Sequence, residues 1–73
     1  MITKIDVIFR DGSREYFNYV PKDEYGKELR LTYTRSETTV TIIEHLVEIN
    51  ETVEHVFERA DIRKIAIKQK QEA

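Results

Sequence analysis

The chain has 73 residues, no cysteine, 12 Lys and Arg against 14 Asp and Glu, and a formal net charge of -2. That composition excludes a disulfide framework, a thiolate zinc site and a thiol nucleophile, and no apolar run approaches the roughly 18 residues of a membrane span. A single small domain follows, 1–70 with a tail at 71–73, whose core supplies only about 3–5 kcal/mol and so calls for close packing or a partner.

From the start, Ile5, Val7 and Phe9 alternate with Lys4, Asp6 and Ile8, the period-two signature of a half-buried strand. The first twenty residues alternate in this way instead of forming a signal-peptide core, which predicts a cytoplasmic protein. Asp11-Gly12 supplies a turn, and a loop of Asp11-Gly12-Ser13 leads into a partner strand at 14–20, with Val7 expected opposite Phe17 and Ile5 opposite Tyr19. Pro21 ends that strand because it cannot donate to a ladder. Residues 21–27 read as a loop with Tyr25 at its tip. Beyond it, Leu29, Leu31 and Tyr33 alternate with Arg30, Thr32 and Thr34. A Ser36-Glu37 turn is then expected to set Tyr33 opposite Val40 and Leu31 opposite Ile42.

Residues 43–60 admit two readings. As a helix packed on an antiparallel sheet, giving an α+β domain, they present an apolar stripe of Leu46, Ile49, Val53, Val56, Phe57 and Ala60 behind a capping-box pattern at 41–44. The β-branched content of Ile43, Val47, Ile49, Thr52, Val53 and Val56, and the absence of an exit glycine, favour strands instead. On that reading Val47 and Ile49 continue one ladder, a bulge near Glu44-His45 shifts the phase, and Asn50-Glu51 turns the chain into Val53, His55 and Phe57. Ala60-Asp61 makes a corner before Ile65 and Ile67. The reading taken is all-β, a small curled sheet or open barrel of five to six strands. Its expected core is Ile5, Val7, Phe9, Phe17, Tyr19, Leu31, Tyr33, Val40, Ile42, Phe57, Ile62, Ile65 and Ile67.

Asp11-Gly12 in the first hairpin, the Asp61-Ile62 corner and the final Ile65-Ala66-Ile67 strand resemble small all-β proteins of bacteria and their phages, and the closing strands resemble those of YolD-like proteins. The resemblance covers less than half of the chain. It implies an all-β fold and transfers no functional residue.

Charge is unevenly placed. Residues 1–35 carry seven Lys and Arg against six Asp and Glu, a net of +1, and residues 36–73 carry five against eight, a net of -3. No Lys or Arg lies between Arg35 and Arg59, a stretch that holds Glu37, Glu44, Glu48, Glu51, Glu54 and Glu58. His45 and His55 lie among these glutamates at no recognised metal-ligand spacing, both glycines are isolated from any phosphate-binding loop, and neither serine sits in a nucleophile context. No catalytic, cofactor-binding or metal-binding residue is therefore expected. A non-enzymatic interaction module that self-associates, as a homodimer, or takes a protein partner fits the small core and the strand edges it must expose. Two alternatives use particular residues. Arg14, Tyr16, Arg30 and Tyr33 mix cations with aromatics as a nucleic-acid face does, whereas Glu44, Glu48, Glu51 and Glu54 form an acidic partner surface that mimics a phosphate backbone.

Overall fold

The computed structural model describes residues 1–71, so the last two residues of the expected tail lie outside the described residues. Six strands form: β1 (Ile2–Phe9), β2 (Arg14–Asn18), β3 (Leu29–Arg35), β4 (Thr39–Leu46), β5 (Glu51–Glu58) and β6 (Ile62–Gln69). They make two three-stranded antiparallel sheets, ordered β2-β1-β6 and β3-β4-β5, that do not close into a barrel. The helical reading of 43–60 is thereby excluded. Only single 3-10 turns, at Val47–Ile49 and Arg59–Asp61, interrupt the strands there. Among the described residues no helix is long and apolar enough to cross a membrane.

The two central strands carry the core because both of their edges are paired and their alternate side chains face the opposite sheet. Ile5 and Val7 of β1, with Val40 and Ile42 of β4, are at most 2 % exposed, and Phe17 of β2 and Leu31 of β3 complete the buried set. Phe9, Tyr33, Phe57, Ile62, Ile65 and Ile67 pack around it, half-buried. Tyr19 was expected inside. It lies beyond the end of β2, half-buried, with its hydroxyl donating to Glu28 at 2.9 Å. That bond holds the Glu28 carboxyl below and the Tyr19 phenol above their ordinary values.

Both expected hairpin registers are displaced by two residues. Ile5 pairs with Phe17 and Val7 with Glu15, because the turn is centred on Asp11 and not on Gly12. It is closed by Phe9 N–H donating to the Ser13 carbonyl at 2.9 Å and Gly12 N–H to the Phe9 carbonyl at 3.0 Å. Gly12 has φ +91°, which a side chain would strain. In the second hairpin Tyr33 pairs with Ile42 and Leu31 with Glu44, since the turn sits one residue later, at Glu37-Thr38, where Ser36 N–H reaches the Thr39 carbonyl at 2.9 Å. A shift of two preserves which face each side chain occupies, so the core survived an error in the turn. The expected bulge near Glu44-His45 is absent. β4 runs in register to Leu46, and the phase changes in the 3-10 turn that ends at Asn50, φ +51°.

The first turn also makes a pH prediction. Asp11 Oδ1 accepts from the Ser13 hydroxyl at 2.6 Å and from the Ser13 N–H at 2.8 Å, and both bonds hold the Asp11 carboxyl below its ordinary value near 3.8. A lowered folded-state value contributes stability above the unfolded value, and that contribution is lost as pH falls through the folded one. Asp11→Ala should therefore lower the urea midpoint at neutral pH, and the gap to the parent should narrow below about pH 4. A gap independent of pH would contradict this role for the carboxylate.

Candidate binding grooves at the open sides of the sandwich

Because the sandwich is open, its strand edges decide what it can bind. β6 pairs only with β1 and β5 only with β4, so each presents eight residues with one uncovered backbone edge among the described residues. β3 is tied to the end of β2 by the single bridge Val20 to Leu29 and is otherwise open on its outer side.

Between β3 and β6 lies a groove of about 590 Å³. Tyr33, Val40, Ile62, Ile65 and Ile67 line it with apolar surface, and Arg10, Arg35, Arg59, Arg63 and Lys64 stand along it with no carboxylate among the lining residues. The fold fixes two of these cations. Arg10 Nε donates to the Ala60 carbonyl at 2.7 Å, and Arg59 Nη1 donates to the Ser36 carbonyl at 2.9 Å, so the Arg59–Asp61 corner holds the first guanidinium group and the β3–β4 turn the second. Among the described residues the ion pairs are Lys4 with Asp6 and Arg30 with Glu28, and neither involves the five groove cations. An anion brought there meets uncompensated positive charge beside apolar surface.

The opposite edge of the β3-β4-β5 sheet is different. A second groove, about 540 Å³, lies between β5 and the β1–β2 turn, where Phe9, Val56 and Phe57 are bordered by Asp11, Glu58 and Asp61 with Arg10 as its one cation. The two open sides of the sandwich thus carry opposite charge. The strands repeat the division: β1, β2 and β6 hold Lys4, Arg14, Arg63, Lys64 and Lys68 against Asp6 and Glu15, a net of +3, whereas β3, β4 and β5 hold Arg30 and Arg35 against Glu44, Glu51, Glu54 and Glu58, a net of -2.

The residues singled out in the sequence are distributed over several surfaces. Glu44 lies on the inner face of β4 and bonds His55 Nε2 at 2.6 Å, half-buried, with the imidazole 4.8 Å from the Phe17 ring. Glu48 sits in the 3-10 turn, Glu51 begins β5, and Glu54 occupies the outer face opposite Ile43. These four glutamates do not form one patch. Arg14 and Tyr16 share the outer face of the β2-β1-β6 sheet with Lys4, Lys64 and Lys68, and Lys4 Nζ lies 5.4 Å from the Tyr16 ring centre. Arg30 is on the other sheet, paired with Glu28 at 3.2 Å, and Tyr33 faces the groove.

Sequence reading missed the groove cations as a group. Their separation along the chain, from Arg10 to Lys64, hides a proximity that only the sandwich creates; the sole local signal was the basic run after Glu58. Among the described residues no group of three or more His, Asp or Glu side chains could hold a metal ion. No family model matches the chain, and no curated protein and no solved structure matches it, so the likeness of its ends to YolD-like strands gains no support.

Proposed function

We propose that the chain is a non-enzymatic interaction module that captures an extended acidic segment as an added strand along the free edge of β6. The observation that carries this reading is the coincidence of an eight-residue uncovered edge with a groove that is apolar inside and cationic around it. Strand addition uses main-chain hydrogen bonds for affinity and alternate side chains for specificity. One face of the incoming strand covers Tyr33, Ile65 and Ile67, and its carboxylates meet Arg35, Arg63 and Lys64.

The same charges oppose a symmetric dimer through either edge. Antiparallel pairing of β6 with another β6 in full overlap sets Arg63 against Lys68, and pairing of β5 with β5 sets Glu51 against Glu58. Like charges across a ladder destabilise it. A short labelled peptide of alternating valine and glutamate, followed by fluorescence anisotropy, tests the reading. Saturable binding that weakens with salt supports it, and no binding at millimolar protein in low salt sinks it.

A second reading rests on the outer face of the β2-β1-β6 sheet, where Tyr16, 53 % exposed, stands among Lys4, Arg14, Lys64 and Lys68. An exposed aromatic among cations suits a stacked base and its phosphates. Against it, Asp6 lies at the centre of that face, directly opposite Tyr16 in the ladder. If single-stranded nucleic acid is the ligand, Tyr16→Ala should weaken oligonucleotide binding severalfold while leaving peptide capture unchanged; equal oligonucleotide affinity of parent and variant would dismiss this surface.

A further inference from the structure

We infer that the acidic segment taken up by the β6 edge is β5 of a second copy of the chain, so that molecules associate head to tail. The inference rests on the strand-addition reading above and names its partner. β5 is the same length as β6, eight residues, and its outer backbone edge is likewise uncovered. Along its outer face run Glu54, Val56 and Glu58, as the ladder pairs of Ile43 with Glu54, Thr41 with Val56 and Thr39 with Glu58 establish. Val56 is 60 % exposed, an aliphatic side chain left in water between two carboxylates. That order, acid, apolar, acid, is the complement of the outer face of β6, along which Lys64, Ala66 and Lys68 follow one another.

The second groove supplies an independent argument. Asp11, Glu58 and Asp61 extend the acidic character of the β5 side beyond the strand, on the edge of the sheet opposite the cationic groove. Each molecule therefore offers a cationic groove along β6 and an acidic groove along β5, which adjoin at Arg10. Contact between unlike sides is heterologous, and it propagates as an open row unless its rotation happens to close a ring. The marginal core, with six buried apolar side chains, gives such association something to stabilise.

Charge reversal separates this inference from its alternatives. Glu54→Lys with Glu58→Lys makes both edges basic, and Arg63→Glu with Lys64→Glu makes both edges acidic; all four side chains are exposed, so the fold should persist, and circular dichroism checks that it does. Sedimentation velocity at low salt should show the parent associating with concentration and each double variant remaining monomeric. An equimolar mixture of the two variants should associate again, because each then presents the charge that the other lacks. Raising salt to about 1 M, where screening acts within roughly 3 Å, should disperse both assemblies.

A parent that stays monomeric to millimolar concentration overturns the inference. If that monomer still binds the valine-glutamate peptide, and the Arg63→Glu, Lys64→Glu variant does not, the strand-addition reading stands and the partner is a foreign acidic segment. If neither peptide nor second copy binds, both readings fail together. Association of the parent that the double variants retain would also overturn the inference, since it places the contact elsewhere.

Discussion

Replacing Ile42 by alanine should leave most of the chain unfolded at room temperature. Ile42 is fully buried on the central strand of its sheet, paired with Tyr33 on one side and His55 on the other, so neither neighbour can collapse into the space without breaking a ladder. Truncation of a buried isoleucine costs about 2–5 kcal/mol, the transfer of its methyl groups plus the cavity they leave. The whole domain commands only about 3–5 kcal/mol. The comparison that isolates burial is Ile43→Ala, one residue on and facing the other side of the same strand, which should lower the urea midpoint far less. A cooperative transition for Ile42→Ala close to that of the parent would mean that stability lies outside this core.

Reversing Arg63 and Lys64 to glutamate should weaken capture of the acidic peptide by at least about tenfold at low salt, because each new carboxylate replaces an attraction with a repulsion at the place where the ligand's own carboxylates settle. Neither residue is buried or makes an ion pair with another described residue, so folding stability should change little. Anisotropy and a urea melt on the same protein distinguish loss of the site from loss of the fold. Unchanged affinity would remove the cationic groove from the account.

The architecture was legible wherever alternation was clean. Ile5 and Val7, then Val40 and Ile42, announced two strands with one buried face each, and burial at those positions is nearly complete. Turn geometry was less legible. Asp11-Gly12 was recognised as a turn, but its centre depends on bonds among Phe9, Gly12 and Ser13 that the residue types do not specify, and a displacement of each turn by one residue slid both hairpins by two. Faces were kept because side chains repeat every two residues, which is why the core list survived with Tyr19 at its margin.

The Ile43–Ala60 ambiguity arose because the apolar residues there fit a helical stripe almost as well as an alternation. The 3-10 turn at Val47–Ile49 explains why: it rotates the chain once in the middle and makes the two strands out of phase. Glu44 misled in another way. An acidic residue among acidic neighbours reads as surface, yet it points inward to His55, a pairing across two strands between residues eleven apart that composition cannot indicate. The candidate site was the least legible part. Arg35 and Arg63 belong to different sheets and line one groove only because the sandwich leaves β3 and β6 on the same open side, a relation set by the order of strands and not by any local pattern.

The most direct test of strand addition is amide hydrogen exchange across residues 62–69 with and without saturating acidic peptide. The β6 amides that do not face β1 should exchange freely in the unbound protein and become protected on binding, while amides of β2 keep their rates. Peptide binding that leaves β6 exchange unchanged, or that protects β5 instead, would contradict the assignment of this edge as the binding site.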